Sequence, residues 1–304
     1  MPSPITSLCA FCATSTSSSS NCSLSGRVPM GNRIVLCIAM LSTTLLCMAL
    51  SIAMADDIAD AARSVSARHA KAVITVELVL KQQMTMLGRS SHEEESKSEV
   101  IGALIDPKGL TVISLASMDP SSILMGSVTS TMGMGAFNFD MQTEVASARL
   151  LLDDGSELPA RVVLRDPDLD LAFIRPEQKP EAPLPHIDLS AAAEPRLLDT
   201  LVTLNRLGQL GRRGQSIGLG RVEAVVSKPR TFYVPTQSLS ALFSLGCPAF
   251  TLDGKIVGLW VVRSAKTQTN SVKDLLMAII VPACDIAEAA SQVPEVEKAE
   301  EPTP

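Results

Sequence analysis

From residue 72 onward, apolar and polar positions follow a period of two in short runs, the pattern of strands with one buried face. The run 72–80, Ala-Val-Ile-Thr-Val-Glu-Leu-Val-Leu, is rich in β-branched residues. Residues 100–105 and 110–115 flank Asp106-Pro-Lys-Gly109, a hairpin turn signal. Residues 149–152 and 160–164 flank Asp153-Asp-Gly-Ser156, where Asp-Gly supplies the positive φ of a tight turn. Leu171-Ala-Phe-Ile174 completes a first strand set. Pro-rich residues 176–185 then read as a surface linker. A second set follows at 200–204, 222–226, 232–234, 255–262 and 276–281. Helical composition is confined to 56–70 and 283–291, and the Glu/Pro tail 291–304 reads as disordered. Many short strands with few helices predict sandwich or barrel architecture, and two strand sets predict two such units, 56–190 and 191–290.

The N-terminal segment 1–55 stands apart. Arg33 precedes an apolar run, 34–55, that closes on Ala53-Met-Ala55 before Asp56-Asp57, the pattern of a cleaved export signal. The alternative is an uncleaved anchor, which would keep the chain at a membrane. Either reading places the folded part outside the cytoplasm, periplasmic or secreted. Met30 is an alternative start for an ordinary signal peptide.

Composition narrows the function classes. The chain carries a net charge of −6, and segment 1–55 holds two Arg and no acid, which leaves the remainder at −8. With aromatics at 3%, an acidic body of this kind is not a nucleic-acid binder. Five of seven cysteines precede residue 48; Cys9 and Cys12 have metal-site spacing but no second ligand pair. The remaining Cys247 and Cys284 are expected to be joined or both buried as thiols. Met84, Met86, Met132 and Met134, with Met118, Met125 and Met141 nearby, could hold Cu(I), but gap-filling under loops is the simpler role, and no metal or cofactor is expected. Arg212-Arg213 among glycines 208–220 lacks the ending of a phosphate loop and reads as a flexible loop. Glu93-Glu-Glu95 reads as a solvated charge run, and His69, His92 and His186 as solvated loop histidines.

Three blocks resemble the trypsin-like domain of the HtrA/Do serine proteases. They are Gly102-Ala-Leu-Ile-Asp-Pro-Lys-Gly-Leu-Thr-Val-Ile-Ser-Leu-Ala116, then Asp154-Gly155 with Ala160-Arg-Val-Val-Leu-Arg-Asp-Pro-Asp-Leu-Asp170-Leu-Ala172, and Gly246-Cys-Pro-Ala-Phe-Thr-Leu-Asp-Gly-Lys-Ile-Val-Gly258. The resemblance covers roughly 66–290 and ends where many members begin a PDZ domain. It implies an all-β fold of two packed six-stranded antiparallel β-barrels with short terminal helices, and a Ser-His-Asp triad across them. Asp170 stands at the aspartate position, but Ala116 stands at the histidine and Leu245 at the serine, and Phe243 replaces an oxyanion-hole glycine. Ala116 cannot take a proton and Leu245 has none to give. Ser244, one position off, should point away from the cleft. The resemblance therefore implies a pseudoprotease that binds a protein or peptide segment through the old cleft or the loops 82–98 and 119–143. The runner-up is an endopeptidase with a displaced active site, and a third reading is a structural envelope protein.

Overall fold

A computed structural model describes residues 57–86, 89–118, 139–236, 244–264 and 276–294. The leader and anchor readings of 1–55, the early cysteines, Met125, Met132, Met134, Phe243 and most of the tail lie outside the described residues. So do the side chains of Met84, Met86, His92 and Met141.

Helix α1 (57–69) leads into the first strand through a 3-10 turn at Ala70–Ala72. Strands β1 (Val73–Met86), β2 (Arg89–Leu104), β3 (Thr111–Ser114), β4 (Phe139–Leu151), β5 (Glu157–Asp166) and β6 (Leu171–Pro176) close a barrel in the order β1-β2-β3-β6-β5-β4. Strands β7 (Thr200–Arg206), β8 (Gln215–Val226), β9 (Phe232–Pro235), β10 (Pro248–Thr251), β11 (Ile256–Ser264) and β12 (Leu276–Pro282) close a second in the order β10-β11-β12-β9-β8-β7. All of these pairings are antiparallel. Helix α2 (Ala283–Ala290) follows directly and buries Ala283, Ile286 and Ala289. The two-barrel expectation therefore holds.

Each barrel's core follows from the alternation. Val76, Leu78 and Leu80 are buried along β1, with Glu77 and Val79 between them at intermediate exposure. In the second barrel Leu201, Val222, Tyr233, Ala249, Val257, Trp260, Ala278 and Ile280, from all six strands, form a buried cluster with Cys247. The indole Nε1 of Trp260 donates to Thr203 Oγ1 at 3.0 Å, so its polar end is satisfied inside that core.

Several boundaries differ from the expected ones, each for a physical reason. The β1, β2 and β4 ladders continue well beyond the predicted strands, with Lys81 opposite both Glu95 and Glu144, through sequence dominated by polar residues. Glu93–Glu95 accordingly sits in a paired strand, not a loop, with Lys81 Nζ 3.5 Å from Glu95 Oε1. The glycine-rich loop shrinks to residues 207–214, because Gly218 and Gly220 lie inside β8, opposite Thr203 and Leu201. Strand β10 is four residues long and opens on proline, so it has too few positions to show a period. The Pro-rich linker is fastened to the first barrel by Leu184 N–H to Pro107 O and Ile187 N–H to Leu104 O, and Ile187 is buried.

Arginines from β7 and its hairpin reach across to the first barrel. Half-buried Arg206 donates to the carbonyls of Val73 and Ala70 and to Asp153 Oδ1 at 2.5 Å, and it holds the Asp153 carboxyl below the usual range. Arg213, at φ 54°, donates to Glu99 Oε1 at 2.5 Å, so this member of the Arg212-Arg213 pair ties the loop to the first barrel.

Two further expectations are corrected. Cys247 and Cys284 are both free, Cys247 fully buried and Cys284 exposed, so they are neither joined nor both buried. Cys247 immediately precedes β10 within the barrel core, whereas Cys284 is exposed in the first turn of α2. His69 is half-buried, not solvated: its ring stacks on Phe250 with centroids 4.6 Å apart, and burial followed by nearby Arg68 lowers its pKa. His186 is exposed as expected.

Candidate functional site

The site is built around one buried carboxylate. Asp170 ends the turn before β6 at φ 57°, a left-handed conformation that aspartate tolerates better than most residues. Its main-chain carbonyl accepts from Leu115 N–H at 2.9 Å. Its side chain is held three ways: Oδ1 accepts from Ala116 N–H at 2.7 Å, and Oδ2 from Ser114 Oγ at 2.6 Å and from Val262 N–H at 3.1 Å. Ser114 and Ala116 belong to the first barrel and Val262 to β11 of the second, so the carboxylate joins both.

Burial raises the Asp170 pKa to about 6, and the hydrogen bonds from Ser114, Val262 and Ala116 pull it back only partly. No cationic partner contributes to the shift. Asp170 can therefore exchange a proton near neutral pH, and Ala116, whose N–H it accepts from, carries only a methyl side chain.

Across from this carboxylate lies the turn Ser244-Leu245-Gly246. Gly246 N–H donates to Trp260 O at 2.8 Å, Cys247 N–H to Ser244 O at 3.0 Å, and Trp260 N–H to Cys247 O at 3.0 Å. Gly246 has φ 82°, and a Cβ there would lie 2.2 Å from the Ile101 carbonyl oxygen and 3.6 Å from Ser114 N. The turn thus packs against β2 and β3 so closely that only glycine fits. Strand β11 connects the two walls, because Trp260 holds the turn and Val262, two residues on, holds Asp170.

The structure therefore brings Ala116, Asp170 and the Leu245 turn to one interbarrel seam. Leu245 and Ser244 are half-buried, as is Ala116. Among the described residues no three His, Cys, Asp or Glu side chains converge on a point that could hold a metal ion. Sequence reading missed Ser114 and the Val262 amide. A signal for Ser114 was present: it is a polar residue at an inward position of the strand Thr111–Ser114, whose four residues are all buried. The Val262 contact pairs residues 92 apart and carries no local signal.

Comparison with known proteins agrees with this geometry. Residues 135–259 match the family model described as a trypsin-like peptidase domain, a span that includes Asp170 and Leu245 and starts after Ala116. A probable periplasmic serine endoprotease, DegP-like, from Rickettsia conorii is 26% identical over 164 residues, covering 50% of this chain and 31% of that protein. Its counterpart from Rickettsia prowazekii is 26% identical over 186 residues, covering 57% and 34%. The chain thus spans about a third of the length of these curated relatives.

Proposed function

We propose that this chain, which carries a trypsin-like domain of the HtrA family, is an exported pseudoprotease that engages a protein segment without cleaving it. The observation that carries the reading is Asp170. It is held by Ala116 N–H, Ser114 Oγ and Val262 N–H, as a carboxylate that orients an imidazole would need to be, while residue 116 has no imidazole. Leu245 offers no oxygen at the facing turn. The one hydroxyl bonded to the carboxylate, that of Ser114, belongs to a residue with no exposed surface, so it cannot meet a substrate. What is left is a cleft able to bind but lacking a nucleophile and a base.

The test is labelling of the full exported chain with a serine-directed phosphonylating probe, alongside hydrolysis of a broad peptide library. The expected outcome is neither labelling nor cleavage. Labelling that disappears in Ser244→Ala would make Ser244 a displaced nucleophile and overturn the reading. Export rests on the Ala53-Met54-Ala55 pattern and on relatives named as periplasmic. The expected mature chain begins at Asp56, which intact mass of the secreted product checks; a product retaining 34–55 would instead mean an anchored protein.

A further inference from the structure

On the second barrel, a separate cavity of about 620 Å³ lies where the segment 192–195, the β8–β9 turn and the start of α2 meet. Its volume falls within the range of small-ligand pockets, about 300–1,000 Å³. Buried Val257, Pro195 and Pro282 line its apolar part. Glu194, Asp285 and Glu288 line it as well, and none of the three is in an ion pair among the described residues. The one cation in the lining is Arg230, which also borders a much smaller neighbouring cavity with Asp168 and Arg263.

A second, independent feature is Tyr233. It is the chain's single tyrosine, its residue is 3% exposed, and it lines the cavity. Its hydroxyl makes no hydrogen bond to any described residue, although its ring is packed in the barrel core. Tyr233, Glu194 and Asp285 line the same cavity. The phenol oxygen is not one of the fully buried unpartnered atoms, so it opens onto the cavity, where it can accept from a ligand beside Glu194 and Asp285, the latter accepting from Cys284 Sγ at 3.4 Å.

We propose that this cavity binds a lysine side chain presented by a polypeptide. The alkyl stem would lie on the apolar part, and the ammonium would donate to Tyr233 Oη and to the carboxylates of Asp285 and Glu194. An ammonium has three donors and no acceptor, so it satisfies the phenol oxygen and two carboxylates together. An anionic ligand would have Arg230 and the α2 N-terminus in its favour but three carboxylates against it. The proposal does not depend on the cleft at Asp170.

The test is titration of the full chain with acetyl-Ala-Lys-Ala-amide, followed by amide NMR shifts and by the phenolate absorbance of the sole tyrosine. The expected result is saturable shifts at Tyr233, Ala283 and Glu194, with Ala116 and Gly246 unmoved, and an easier Tyr233 ionisation in the bound state. Binding should weaken about threefold in Glu194→Gln or in Asp285→Asn, and about tenfold when both are changed, as loss of exposed charge pairs implies. Glu288→Gln, on the exposed face of α2, is the variant that tests charge without touching packing, and it should lose up to about threefold. Equal binding of the norleucine peptide, tighter binding of acetyl-Ala-Glu-Ala-amide, or no saturable shift would overturn the proposal. Butylammonium binding as tightly as the peptide would overturn the assignment to a polypeptide. Shifts at Ala116 and Gly246 alone would place binding in the cleft and leave this cavity without a role.

Discussion

The two walls of the interbarrel seam keep their shape by different means. On the first-barrel wall, the side chain of Asp170 does the holding, with both carboxylate oxygens engaged and its pKa raised to about 6 by burial. On the facing wall, backbone hydrogen bonds to Trp260 and Cys247, and a glycine pressed against Ile101, fix the Ser244-Leu245-Gly246 turn. Neither arrangement needs a histidine at 116 or a serine at 245. The backbone of the seam is therefore held independently of the side chains at 116 and 245. Each wall should fail differently when its own support is removed.

The largest effect is expected at the glycine wall. Gly246→Ala would put a Cβ 2.2 Å from a main-chain oxygen at φ 82°, where neither partner can move aside without shifting a strand. A loss of about 4 kcal/mol is expected, combining left-handed strain with a backbone clash. Gly155→Ala separates the two terms, because Gly155 has φ 85° with nothing within 4 Å of its added Cβ, and should cost about 1 kcal/mol. Urea unfolding midpoints of the two variants check this. Similar losses would mean that the seam packs loosely around Gly246.

This wall also shows where sequence reading succeeded and where it ran out. The hairpins at Asp106–Gly109 and Asp153–Ser156 were legible because their turn chemistry is local, and both turns form as expected. The site positions were legible only through resemblance of blocks, since Ala116 and Leu245 carry no chemical signal of their own. The contacts that define the seam, Val262 with Asp170 and Gly246 with Ile101, join residues 92 and 145 apart in sequence. Interbarrel ties such as Arg206 to Asp153 were equally invisible, because an arginine beside a glycine-rich loop reads the same with or without a distant acid.

The carboxylate wall should fail through pH. Folding raises the Asp170 pKa from an ordinary value near 3.8 to about 6, so the folded state holds the proton more tightly than the unfolded chain. The stabilising contribution is fully present below about pH 4, is lost as pH rises through about 6, and stays lost above that. The difference corresponds to on the order of 3 kcal/mol. Asp170→Asn cannot ionise, so the stability gap between the two proteins should move by that amount, in favour of the aspartate form, on going from pH 7 to pH 4. Denaturant unfolding at the two pH values measures it; a gap independent of pH would mean that the three donors fully offset burial, and a gap that moves the other way that they outweigh it.

The smallest expected effect comes from giving the aspartate wall the partner it lacks. In Ala116→His, the backbone N–H of residue 116 keeps its bond to Asp170 Oδ1, since that contact does not depend on the side chain. Residue 116 is only half-buried, so an imidazole can swing toward solvent if it does not fit, and stability should change by no more than about 1 kcal/mol. The informative readout is titration. An imidazolium beside the carboxylate favours the ionised acid, so the Asp170 midpoint should fall below 6 while the new histidine titrates above its usual 6.5. The two groups would then form a coupled pair whose midpoints belong to both. Carboxyl and imidazole NMR shifts followed against pH would show the two moving apart. An Asp170 midpoint that stays near 6, with the histidine titrating as a free imidazole, would show that the imidazole swings away from the carboxylate and that the seam does not hold it in the orientation a triad requires.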